Sequence, residues 1–337
     1  MNRHMYQPAV SLLCVFLISM ISPATAEWEK RPVAYVWTGA EEAEKAPGGL
    51  LRGTIYDIKR DRRGKLKPQV QQHAGDWWNH VRNDYMETMK DIMARRHSDI
   101  KYNYEYKTPC AVGHLYLQRR YGVNMDGELD LASGRKATEA AADFISESAE
   151  AIPGGWIGVF KGRVKAPRTM KFRFVGSADD TIIVRFGGKV VLESGYVLPS
   201  VFTGNNSDEA FSKGTEKQYI QNLRSGKDPK HKDYKLLQLK SAGFFNNTFG
   251  GLVGGTPVSV KEGSDYPIEI IIGECGRHGF YYLLTQEITK EKNAPLMLFR
   301  TNEDWPASQP GSEPGPAYSK DSPVWKTVSA KKKKKKS

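Results

Sequence analysis

The chain has 337 residues, a formal net charge of +12, 39% hydrophobic and 11% aromatic residues. That composition excludes wholesale disorder and allows one large packed domain or two ordinary ones. Three cysteines are too few for a disulfide-rich scaffold or a cysteine-rich zinc site.

The first 26 residues carry Arg3 and His4, then an apolar run from Ala9 to Ile21, then Ala24-Thr25-Ala26. This order predicts a secretory signal peptide over 1–26, cut before Glu27. The run is short for a bilayer span, and no later segment is long and apolar enough to supply one. The mature protein is therefore expected to be secreted, periplasmic or on the cell surface, without a transmembrane segment. Cleavage removes Cys14 and leaves Cys110 and Cys275, the candidates for a single disulfide in an oxidising compartment.

Residues 27–47 read as an irregular lead-in. Leu51, Ile55, Tyr56 and Ile58 suggest a first strand, followed by a charged loop from Lys59 to Lys67. In "DWWNHVRNDYMETMKDIMARR" the apolar positions Trp77, Trp78, Val81, Tyr85, Met86, Met89, Ile92 and Met93 recur at helical spacing, with Asp76 as N-cap. Such a tryptophan and methionine stripe reads as core. "SGRKATEAAADFISESA" suggests a second helix, so that residues 70–150 form a helical insertion.

Beyond "IPGG" the period becomes two. Strands are expected at Trp156–Val164, Met170–Val175, Thr181–Phe186 and Lys189–Glu193, the last two joined at Gly187-Gly188 by a tight hairpin. Ser200–Asp233 reads as a long polar loop, "YKLLQLK" as a strand and "AGFFNNTFGGLVGGTPVSVKEG" as loop. Ile268–Ile272 and Phe280–Leu284 read as strands flanking "GECGRHG". A Pro/Gly/Ser-rich linker is expected over 291–330, then a basic tail at 331–337 whose six lysines carry half the net charge. The expected fold is mainly β, a sandwich or barrel over 48–290 with the helical insertion after its first strand.

Asp179 and Asp180 stand side by side between two strands. The residues alone leave a solvated turn, a catalytic pair or part of a cation site open. A paired-carboxylate glycosidase needs acids separated across a cleft, which neighbours at one turn do not give. His-Glu-x-x-His, G-x-S-x-G, a P-loop and a dinucleotide fingerprint are all absent from the sequence. The histidines read as scattered without metal-ligand spacing. Cys275 and His278 in "GECGRHGF" read as part of a tight turn with surface polar groups rather than a nucleophile and its base. The chain is expected not to be an enzyme.

Three segments in the expected order carry a family resemblance: "LLRGTIYDIKRD", "WIGVFKGRVKAPRTMKFRFVGSADDTIIVRFGGKVVLE" and "DYPIEIIIGECGRHGFYYLLTQE". Together they resemble the protective-antigen-type ("PA-fourteen") β-barrel domain, in a bacterial exported variant with a helical insertion. The resemblance implies a carbohydrate-binding or interaction module. In fungal adhesin members two adjacent aspartates hold a Ca²⁺ ion that takes sugar hydroxyls, and the matching residues here are Asp179 and Asp180. An asparagine from a later loop completes that site. Asn246 and Asn247 are the candidates, with Asn247 as the metal ligand, and Asn205, Asn206 and Asp208 are an alternative. Tyr196 and Phe202 are candidates to line the sugar site. One departure is Thr181, where the family often has glycine. The implied partner is a carbohydrate or glycan-bearing molecule, and no nucleic acid. The lysine tail suggests an anionic envelope polymer, which leaves a structural or assembly protein of the cell envelope as the alternative function.

Overall fold

The computed structural model describes residues 34–38, 51–73, 76–95, 104–105, 110–117, 155–195, 197–199, 221, 226–227, 231–237, 251–276, 281–289, 291, 296–301 and 322–328. Among these residues fifteen strands and two helices follow in chain order. They are β1 (Ala34–Thr38), β2 (Leu51–Asp57), α1 (Pro68–Gln72), α2 (Trp77–Met93), β3 (Tyr104–Glu105) and β4 (Cys110–Leu117). Then come β5 (Trp156–Lys165), β6 (Met170–Asp179), β7 (Thr181–Phe186), β8 (Lys189–Gly195), β9 (Lys235–Leu236), β10 (Val253–Gly254) and β11 (Val258–Val260). The last four are β12 (Asp265–Glu274), β13 (Tyr281–Ile288), β14 (Met297–Leu298) and β15 (Lys326–Thr327).

The first sheet runs β8-β7-β12-β5-β2-β4 and the second β4-β13-β6-β10-β9, so β4 pairs into both and joins them along one side. The named strand pairs are antiparallel. The mainly β sandwich with helices after its early strands is as the sequence suggests. Three details differ. The lead-in holds β1, which pairs with β4. The stretch read as a helical insertion holds β4 itself, and its second expected helix lies outside the described residues. The stretch read as linker returns to the sandwich, where β14 pairs with β13 and β15 with β5. Few apolar residues interrupt its Pro/Gly/Ser background, but Phe299 and Trp325 are among the most buried in the chain.

The apolar runs of the central strands are explained by burial on both faces. On β12, Ile268, Ile270 and Ile272 face the interior between the sheets, while Ile271 points to the outer side. On β7, Ile182 and Val184 face in and Ile183 faces out. The interior is strongly aromatic: Phe174 packs edge-on against Phe172 and Phe299, with centroids 5.1 and 5.2 Å apart. Trp325 joins Phe172 at 5.1 Å, and its indole N–H donates to Gln286 Oε1 at 3.0 Å.

The outer face of the first sheet is covered by α2. Trp77, Val81, Tyr85, Met86, Met89 and Ile92 are buried there against Ile157, Val159, Ile183 and Ile271. The stripe is core, as its spacing predicts. Gly273 of β12 permits the close approach: a Cβ there would lie 2.4 Å from the Tyr85 hydroxyl and 2.5 Å from Met89 Cε. At the far end of the helix, Arg185 of β7 donates to the carbonyls of Ile92 and Met93, at 3.2 and 2.6 Å, and also pairs with Glu269. A cation at a helix C-terminus meets the negative end of its dipole.

Candidate functional site: the aspartate turn

Asp180 is the single residue between β6 of the second sheet and β7 of the first. The chain changes sheets there, so the backbone polar groups of Asp180 fall outside both ladders and need other partners. Its N–H donates to Gly273 O at 3.1 Å, and its carbonyl accepts from Val197 N–H at 3.1 Å. Its carboxylate completes the corner. Oδ2 accepts from the backbone N–H of Cys275 at 2.6 Å and of Gly276 at 3.4 Å, two amides that lie just past the end of β12. Charge-assisted bonds of this kind are the stronger ones. Asp180 is thus buried and fixed in direction, which is a firmer arrangement than a solvated turn.

Thr181, the departure from the family pattern, is fully buried and donates its hydroxyl to Val197 O at 2.9 Å. Gly195 pairs with Thr181 in the β7–β8 ladder. Its φ is +122°, and a Cβ there would meet Asp180 O at 2.1 Å. Glycine is therefore required for the strand to close on the corner.

Three sequence candidates, Tyr196, Asn246 and Asn247, lie outside the described residues, and their described chain neighbours can be placed. Tyr196 lies between Gly195 and Val197, both of which touch Asp180. Residues 238–250, which include Asn246 and Asn247, are bordered by Leu237 and Gly251. Leu237 N–H donates to Leu252 O, and Val253 pairs with Gly176, three residues before Asp179 on β6. The β10 strand runs antiparallel to β6, so going back from Val253 leads toward the Asp179 end. The Asp179 backbone pairs with Tyr281. The Asp179 side chain, Tyr196, Phe202, Asn205, Asn206, Asp208, Asn246, Asn247, His278 and Lys331–Lys336 lie outside what is described.

An anchored carboxylate at a sharp corner fits one part of a Ca²⁺ shell, which takes six to eight oxygens.

The candidate disulfide is not formed: Cys275 is a buried free thiol. The register gives the reason. Cys110 is level with Gly53, then Phe160, then Ile270 on successive strands. Cys275 lies three strands across and five residues further along, a separation on the order of 20 Å, far beyond disulfide reach. Nor is "GECGRHGF" a surface turn at its start, because Glu274 and Cys275 are buried. Burial, then the charges of Asp180 and Glu274, push the Cys275 thiol well above its ordinary value, and Arg82 and Lys59 offset this only in part. That is opposite to what a thiolate nucleophile needs.

Sequence reasoning missed the charges beneath α2. Lys59 and Asp57 form an ion pair of 2.8 Å with both side chains only 2% exposed. Asp57 also accepts from Lys59 N–H and pairs with Arg60 at 3.3 Å. Burial lowers the Lys59 ammonium from its ordinary value, against the pull of Asp57. Their "YDIKRD" setting looks like a surface turn, and only the helix laid over it makes it interior. Glu193 and His231, 3.3 Å apart and both buried, were likewise invisible because 38 residues separate them.

No protein-family profile matches the chain, and no curated protein matches it. Matches of known structure do occur. A PA14 sugar-binding domain from an RTX adhesin is 12% identical, with 76% of this chain and 97% of that one covered and a TM-score of 0.36. The chain is similar to PA14 domains of known structure. The PA14 domain of the MpAFP antifreeze protein is 11% identical, covering 76% and 90%, with a TM-score of 0.33. The Epithelial Adhesin 6 A domain from Candida glabrata, solved with Galb1-3GlcNAc, is 12% identical, covering 76% and 87%, with a TM-score of 0.29. Among the described residues no helix is long and apolar enough to cross a membrane.

Proposed function

We propose that this chain is an exported, non-enzymatic module that binds a carbohydrate or glycan-bearing partner at the Asp179–Asp180 turn. The observation that carries the reading is convergence at one end of the sandwich. The Asp180 corner is anchored there, the residues on either side of Tyr196 touch it, and the strand that follows residues 238–250 pairs with β6 at Gly176, three residues before Asp179. A rigid, anchored corner is the arrangement a binding site needs.

Asp179, Asp180 and Asn247 would hold a Ca²⁺ ion, and Tyr196, Phe202 and Asn246 would line the sugar. The ion, when bound, supplies a positive centre whose waters a vicinal diol displaces. The chain's own part is to hold the Asp180 carboxylate still through the Cys275 and Gly276 amides.

The test is a glycan array followed by calorimetry on the mature protein, with Ca²⁺ and with chelator. Saccharide binding is expected in Ca²⁺ alone, and Asp179→Ala should abolish it while leaving the circular dichroism unchanged. No saccharide bound in either condition would overturn the reading. Binding that survives both chelator and Asp179→Ala would move the site elsewhere.

A further inference from the structure

We propose that His73, Asp76 and His80 form a site for a divalent transition-metal ion of the Zn²⁺ type, on the surface where α1 meets α2. The histidines are scattered along the sequence, and the spacing His-x-x-Asp-x-x-x-His has meaning only at this helix junction. His73 is the C-cap of α1, Asp76 the N-cap of α2, and His80 lies four residues further, one turn into α2. Nδ1 of His73 is 3.7 Å from Asp76 Oδ1, and Nε2 of His80 is 3.6 Å from Asp76 Oδ2. One donor atom from each of the three lies within 4.8 Å of the other two. The two imidazole rings stack with centroids 3.6 Å apart and planes 18° from parallel.

A second observation concerns Asp76. An N-cap aspartate ordinarily accepts from the helix amides, to the benefit of the helix by about 1 kcal/mol. Asp76 makes no such side-chain bond, and its two carboxylate oxygens are turned instead toward one histidine each. The local arrangement forgoes the cap and gathers two imidazoles around one carboxylate.

The donor set decides the class of ion. Imidazole and carboxylate together suit Zn²⁺, Cu²⁺ and Ni²⁺, whereas Ca²⁺ and Mg²⁺ take oxygen. Zn–N and Zn–O bonds of about 2.0–2.2 Å put tetrahedral donors roughly 3.3 Å apart. With one Asp76 oxygen as the ligand, the three donor atoms, within 4.8 Å of one another, must close by up to about 1.5 Å. The stacked rings must fan apart so that each lone pair points at a common centre. That is a rotation about the broad terminal torsion of histidine, and it is open to these side chains because all three are partly exposed. Three protein ligands leave a fourth position for water.

Isothermal titration of the untagged mature protein with Zn²⁺ alone tests this, with Co²⁺ absorption in the visible as a second readout. One equivalent is expected. His80→Ala and Asp76→Asn should each weaken it at least tenfold, with unchanged circular dichroism. The site is independent of the Asp179–Asp180 turn, so Asp179→Ala should leave Zn²⁺ affinity intact and excess Ca²⁺ should not compete. Absence of Zn²⁺ binding, or an equivalent retained in the His73→Ala/His80→Ala double variant, would overturn the proposal.

Discussion

The two faces of the first sheet are equally buried and chemically unlike. Its inner face meets the second sheet through aromatic and aliphatic side chains, from Trp156 and Phe160 to Phe299 and Trp325. Its outer face meets α2 through a similar apolar layer, but that layer ends in Asp57, Lys59, Cys275 and Glu274, all buried, with Asp180 at the corner beside them. Inside the sandwich a residue is held by shape. Beneath the helix end it is held by shape and by charge balance, and the price of an error differs. A cavity costs the packing it removes, whereas an orphaned charge costs its whole desolvation.

The largest expected effect is in the interior. Trp325→Ala should destabilise the fold by about 3–5 kcal/mol, measured by urea denaturation. A loss below 1 kcal/mol would mean that residues 322–328 are not part of the sandwich. Next comes the charged layer. Asp57→Ala leaves Lys59 without its 2.8 Å partner and should cost about 3 kcal/mol. The double change Asp57→Leu/Lys59→Met should recover much of that loss, because neither member of the pair is then left buried without the other. If the double variant were as unstable as the single one, packing and not charge would govern both faces, and the contrast between them would collapse.

A smaller effect separates the regions by pH. The Cys275 thiol is raised well above its ordinary value of 9.0 by burial, Asp180 and Glu274. Above that value the unfolded chain loses the thiol proton while the folded chain keeps it, so the unfolded state binds fewer protons and stability falls as pH rises. Wild type should therefore lose stability relative to Cys275→Ser between pH 8 and 10, and the difference should be flat below pH 8. A flat difference throughout would show that the thiol is not insulated. The smallest effect lies on the surface. Arg168 and Glu291 pair at 3.5 Å with both side chains about half exposed, and Arg168→Ala should change stability by no more than about 1 kcal/mol. A larger loss in thermal unfolding would contradict the view that only buried charges count here.

Much of this molecule was legible because local periodicity reports burial directly. The stripe of α2 announces one buried face, and the unbroken run Ile268–Ile272 announces a strand covered on both sides. The glycine pair at 187–188 marks a hairpin, and both residues do adopt positive φ. The side-by-side aspartates mark a corner. What failed to show was every feature made by chain segments far apart in sequence. Phe299 and Trp325 sit in a stretch whose composition speaks of linker, and only long-range packing recruits them. Lys59 looks like a loop lysine until a helix covers it.

The sequence by itself determined the β class, the amphipathic helix and the strand junction at Asp179-Asp180, since these follow from side-chain period and turn chemistry within a few residues. Tertiary structure alone decided that Asp180 carries two amides of the β12 end, that Cys275 is a free thiol far from Cys110, and that His73, Asp76 and His80 converge. Each of these depends on strand register or on how two helices join. Register is set by the whole buried face and not by the residues that it brings together.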